Sequence, residues 1–109
     1  MNHPFNFKFI NSDGGTPWCL GIGSDAATGW PATDWVEDIM LRTQTPDVYD
    51  AWVTNEIGFD DPRVVEAIET FGTFFKTEGY ADGGAAGVGS TDFRDSPKGL
   101  FDTPAKCYM

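Results

Sequence analysis

The sequence predicts a helix-rich α/β fold in which three or four helices pack on a small sheet of two to three short strands. Apolar runs of strand length lie near both ends of the chain. Between them, apolar residues recur at helical spacing, and two of these segments start with a polar capping residue followed by proline. The 109 residues are enough for one small domain.

The predicted strands lie at the two ends. In residues 5–10, FNFKFI, phenylalanine alternates with polar side chains, which is typical of a half-buried strand. After the break NSDGG, residues 17–23, PWCLGIG, form a second run of strand length, and KCYM is predicted to be a closing strand. This order of strands allows Cys19 and Cys107 to lie on neighbouring strands.

The first helix is predicted to begin after Asp34. Asp34 and Glu37 have the spacing of a capping box, in which two side chains satisfy free backbone amides reciprocally. Trp30 is then predicted to lie in a loop, held between Gly29 and Pro31. The apolar stripe of this helix is Trp35, Val36, Ile39 and Met40.

The second and third helices are predicted from cap–proline pairs. Thr45 is predicted to cap the second helix and Asp61 the third, and each is followed by proline. Proline suits the first turn because the N–H group that it lacks would have no partner within the helix there. Gly72 in the third helix predicts close packing, because glycine otherwise weakens a helix. Residues 82–90 are predicted to form a loop, and a short helix is predicted from Thr91 to a break at Pro97.

The formal charge of −10 argues against nucleic acid and against anionic membranes, since both require clustered lysine and arginine. It favours a neutral or cationic partner. No apolar run approaches the roughly 20 residues that span a bilayer, so no membrane insertion is expected. The N-terminus lacks the features of a signal peptide.

No enzyme, cofactor or metal site is predicted. His3 is the only histidine and neither cysteine is in a CxxC pair, which leaves too few ligands for zinc and no Ser-His-Asp or Cys-His arrangement. In Gly21–Ala26, GIGSDA, the glycines resemble a nucleotide-binding turn, but no helix follows them directly. Cys19 and Cys107 are either two buried thiols or one disulfide.

Trp30 is the best candidate for ligand contact. A tryptophan in a loop is less readily explained by core packing than one on a helical stripe, and its flat ring can stack on the apolar face of a sugar. Asp34 could accept hydrogen bonds from sugar hydroxyls. Trp35 lies on the apolar stripe, and core packing is the stronger interpretation for it.

The sequence resembles carbohydrate-type extracellular solute-binding proteins of ABC transporters, in the alpha-glucoside or sugar-binding group. The resemblance runs through DGGTPWCLGIGSDAATGWPATDWVEDIMLRT, DVYDAWV, IGFDDPRVVEAIETFG and PAKCYM, and covers residues 12–109. Residues 1–11 do not match and are interpreted as an extension with a strand. The family has two lobes that close on a sugar, and the match is to part of the second lobe only.

The resemblance implies a partial lobe whose sugar binding is weak or lost. Trp30 would lie in the segment that contacts sugar, with Asp34 and Trp35 as weaker correspondences, and Cys19 and Cys107 would be bridged. It implies a periplasmic or extracellular location, and an ABC permease as partner only with the rest of the protein present. Without a signal peptide, a complete chain of this sequence would be cytoplasmic.

A second hypothesis is a small stand-alone interaction or structural module with no transport role. The partial lobe would leave sheet edges open, and open edges invite pairing with a second copy of the chain. This hypothesis therefore predicts a homodimer.

Overall fold

The computed structural model describes residues 15–109, so the predicted strand at 5–10 and the extension at 1–11 lie outside the described residues. Four α-helices follow in order within this range: α1 (Trp30–Thr43), α2 (Pro46–Val53), α3 (Pro62–Lys76) and α4 (Gly84–Ser90). Short 3₁₀ helices span Asp25–Ala27 and Ser96–Phe101. The prediction of a helix-rich fold is confirmed. None of these helices has the length and apolar character needed to cross a membrane.

The predicted small sheet is not found among residues 15–109. Three isolated parallel bridges take its place: Thr16–Cys107, Trp18–Ala81 and Gly23–Asp92. The extended segment 16–23, called here the central segment, meets a different part of the chain at each bridge, so no continuous ladder forms. The homodimer expected through open sheet edges stays a prediction, since residues 15–109 form isolated bridges in place of a sheet.

The starts of α2 and α3 are as predicted. The Thr45 hydroxyl accepts a hydrogen bond from the Val48 amide at 3.4 Å, and the Asp61 carboxylate accepts one from the Arg63 amide at 2.9 Å. Proline follows each cap within the first turn. These helix starts are determined by adjacent residues, which is why the sequence alone predicts them.

Helix α1 starts earlier than predicted, and Asp34 is not its cap. Gly29 precedes the helix with a φ of 109°, a conformation that favours glycine, and Pro31 lies in the first turn. Trp30 is therefore the first helical residue and not part of a loop. Pro31 explains the earlier start, because a helix tolerates proline in its first turn but not in its interior.

The C-terminal third also differs from the prediction. Residues 84–90 form helix α4 although glycine-rich, because Val88 packs into the core with 1% exposure and the Ile22 amide donates to the Val88 carbonyl. Burial here outweighs weak helix propensity. Pro97 lies in the first turn of a 3₁₀ helix and does not end one.

The core lies between α1, α3, α4 and the central segment. Met40 and Val64 are fully buried at its centre. Trp35 packs against it, with its ring centroid 5.3 Å from that of Trp18 and 5.5 Å from that of Phe71. The complete buried cluster is Leu20, Ile39, Met40, Val64, Ala67, Phe71, Ala81 and Val88.

Cys19 and Cys107 form a disulfide, as the family resemblance implies. Their Cα atoms are 5.3 Å apart and their sequence separation is 88 residues. Cys107 is fully buried, and Gly99 lies directly against it, since a Cβ built on Gly99 would be 2.5 Å from the Cys107 sulfur. The bridge joins the central segment to the C-terminal end of the chain.

Gly72 does not pack closely against any described element, contrary to the prediction from its position. An ideal Cβ at Gly72 meets only Lys76 Cδ, at 3.8 Å, among the atoms of residues 15–109. We expect Gly72→Ala to raise the free energy of unfolding by about 0.5–1 kcal/mol, because alanine favours the helix without a clash. Urea denaturation measures this change, and a destabilised variant would contradict it.

Candidate ligand-binding site

Trp30 presents an aromatic ring at the start of α1. The residue is 41% exposed, whereas the adjacent Pro31 is buried. The Gly29 amide donates to the Ile22 carbonyl at 2.9 Å, which ties this turn to the central segment. The indole therefore projects from a helix start that this hydrogen bond fixes to the central segment.

Phe93 supports the Trp30 ring from the C-terminal part of the chain. The two ring centroids are 4.9 Å apart with an interplanar angle of 70°, an edge-to-face arrangement. Gly23 holds Phe93 in place, since its amide donates to the Thr91 carbonyl and its carbonyl accepts from the Phe93 amide, both at 2.9 Å. We call Trp30 and Phe93 the aromatic platform.

The glycines of GIGSDA serve this backbone contact. A Cβ on Gly21 would be 2.6 Å from the Thr91 carbonyl oxygen, and one on Gly23 would be 2.9 Å from it. Side chains at these positions would push the 91–93 loop away from the central segment. The glycine pair thus has a structural role in positioning Phe93.

A charged group lies beside the aromatic platform. Arg94 Nε and Nη2 donate to the two carboxylate oxygens of Asp92 at 2.8 Å, and Nη2 lies 3.8 Å from Asp25 Oδ2. These hydrogen bonds from Arg94 hold the pKa of Asp92 at about 2, and Asp92 in turn raises the pKa of Arg94. Because Arg94 is also 5.4 Å from the centroid of Phe93, it covers part of that ring and leaves Trp30 as the accessible one.

The structure brings Asp34 to Trp30 and separates Trp35 from it. Asp34 is exposed one helical turn after Trp30, about 40° away around the helix axis. Trp35 is about 140° away and points to the core side, where it contacts Trp18 and Phe71. The structure therefore places Trp35 on a different side of α1 from Trp30 and Asp34, and ligand contact by these residues stays a prediction.

Sequence reasoning missed Phe93 and the charged residues around it. The segment TDFRDSP predicts only a short helix by its pattern, although it places an aromatic residue inside an Asp-x-Arg pair. The same spacing in Asp61 and Arg63 gives the same two-pronged ion pair, with both contacts at 2.9 Å. The available signal was an Asp-x-Arg pair with an aromatic residue between its two charged members.

Two curated relatives match most of the chain. It is 63% identical over 100 residues to the alpha-glucosides-binding periplasmic protein AglE of Rhizobium meliloti, covering 92% of this chain and 22% of the relative. It is 54% identical over 96 residues to the osmoprotective compounds-binding protein GgtB of Synechocystis sp., covering 88% of this chain and 23% of the relative. The chain thus spans about a fifth of the length of these relatives. No protein-family model matches it, and no solved structure matches it significantly.

Proposed function

We infer that this chain, as a segment of a carbohydrate-type solute-binding protein of ABC transporters, contributes a sugar-stacking surface through Trp30. The observation that carries this proposal is the exposed indole at the start of α1, supported edge-on by Phe93. A supported tryptophan ring suits the apolar C–H face of a pyranose, which gains free energy by leaving water.

The charges around the aromatic platform favour an uncharged, hydroxyl-rich ligand. Asp25 and Asp34 are exposed acceptors for hydroxyl protons. Arg94 is already paired with Asp92, so its charge is not free to attract an anion. An alpha-glucoside, the ligand in the name of the relative AglE, has this chemistry.

A role in transport is proposed only for the whole protein of which this chain is a segment. We assign the chain to part of the second lobe of such a protein, in the periplasm or outside the cell, with a permease as partner of the complete assembly. Because one lobe segment offers one wall of a cleft, the sugar affinity of this chain alone should be weak, on the order of millimolar. The role is binding and not catalysis.

Replacing Trp30 by alanine tests the proposal. We expect the chain to bind maltose, trehalose or sucrose at millimolar concentration, and Trp30→Ala to weaken binding about tenfold. Losing roughly 50 Å² of apolar contact at about 25 cal/mol per Å² corresponds to this factor. Isothermal titration measures the change in affinity, and tryptophan fluorescence reports binding by the parent chain, which retains the Trp30 indole.

Phe101→Ala provides the matched control, since Phe101 is 83% exposed and is not part of the aromatic platform. This variant should bind sugar like the parent chain. If the parent gives neither heat nor a fluorescence change, or if both variants lose binding equally, the assignment to Trp30 fails. The dimeric-module hypothesis rested on open sheet edges, which residues 15–109 do not form.

A further inference from the structure

An apolar groove lies between α1 and α3, and neither Trp30 nor Phe93 lines it. Its volume is about 420 Å³, and Trp52 and Phe59 extend its walls beyond the two helices. Phe59 is 66% exposed and Ile68 is 43% exposed, which is unusual for large apolar side chains grouped on one surface. The other large apolar residues that line it are Ile22, Val36, Phe71 and Phe75.

Gly72 contributes to this groove from the middle of α3. Apart from the neighbouring turns of α3, a Cβ at this position would come within 4 Å of no backbone among residues 15–109, and the helix itself would favour a side chain. The described part of the chain therefore contains no reason for glycine here. A missing side chain at an open groove is typical of a place where another backbone approaches closely.

We propose that the groove binds polypeptide from the remainder of the solute-binding protein, as an apolar helix or strand that passes over Gly72. The aligned segment is 22% of one relative and 23% of the other, so most of their polypeptide lies outside it. Lys76 is exposed at the groove and takes part in none of the ion pairs among residues 15–109. An acidic group on the segment that binds is favoured beside Lys76, because opposite charges attract.

A second copy of this chain fits the groove less well. Each copy has a formal charge of −10, and the repulsion between two such chains opposes their association. The remainder of a binding protein is covalently continuous with the segment in the relatives, so its approach to the groove costs little entropy.

The test compares Gly72→Leu in two contexts. One is the chain as it is, and the other is a chimera in which this chain replaces its aligned segment in Rhizobium meliloti AglE. In the chain alone, we expect Tm to rise by about 4 °C, because leucine favours the helix and enters open space. In the chimera, we expect Tm to fall by about 5 °C, because the same side chain collides with the segment that fills the groove.

Glu66→Leu is the control, since Glu66 is exposed on another face of α3 and does not line the groove. It should shift both Tm values in the same direction. The proposal is overturned if Gly72→Leu stabilises both proteins, if it destabilises the chain alone, or if the control also reverses sign. Light scattering on the chain alone measures its oligomeric state. If the chain is a dimer and Gly72→Leu dissociates it, the groove binds a second copy and the proposal is overturned.

Discussion

Removing the disulfide by Cys19→Ser is expected to lower the free energy of unfolding by about 4–5 kcal/mol. The bridge closes a loop with a sequence separation of 88 residues, and the chain-entropy model gives this magnitude for a loop of that length. A small domain has only about 5–15 kcal/mol of net stability, so the loss is a large part of the total. Cys19 is the better position for serine because it is only half-buried, whereas Cys107 is fully buried.

Urea denaturation in the presence and absence of a reductant measures this contribution. Reduction of the parent chain should reproduce the loss seen in Cys19→Ser, and the reductant should leave the variant unchanged. If the parent unfolds at the same urea concentration with and without reductant, the bridge does not stabilise the fold and the expectation is wrong.

The second large effect is expected in the core at Met40. Its side chain has 0% exposure in the cluster between α1 and α3. Met40→Ala should lower the free energy of unfolding by about 3 kcal/mol, because it removes buried methylene groups and leaves a cavity that the helices cannot close fully.

The adjacent Leu41 gives a matched control on the same helix. Leu41 is 55% exposed, so Leu41→Ala should cost less than about 1 kcal/mol. The denaturant concentrations at which the two variants are half unfolded measure these losses, provided that the dependence of the unfolding free energy on denaturant is the same in both. Equal losses at the two positions would mean that α1 does not present Met40 to the core.

Local signals in the sequence were sufficient for α2 and α3. Thr45 and Asp61 each lie next to a proline and within three residues of the amide they accept from, so all the information is in one short segment. The start of α1 was missed because two local signals compete there, the Asp34 capping box and Pro31. The proline prevails, with Gly29 providing the backbone conformation that precedes it.

Non-local contacts determine the parts that could not be predicted. Helix α4 depends on the burial of Val88, and a pattern of glycine and alanine gives no indication of that burial. The aromatic platform joins Trp30 to Phe93, and no spacing rule links residues so far apart in sequence. The family resemblance provided the Cys19–Cys107 pairing, where spacing alone left two alternatives open.

The central segment has a consequence for the order of folding. Most of its hydrogen-bond partners are distant in sequence, although Gly29 is close: Lys106 lies 90 positions after Thr16, and further partners are Tyr80, Val88 and Thr91. The caps of α2 and α3 involve only adjacent residues, whereas the central segment cannot complete its contacts until residues as far as Lys106 have been synthesised. Such high contact order slows folding, and it leaves Trp18 and Leu20 exposed to premature association during that interval.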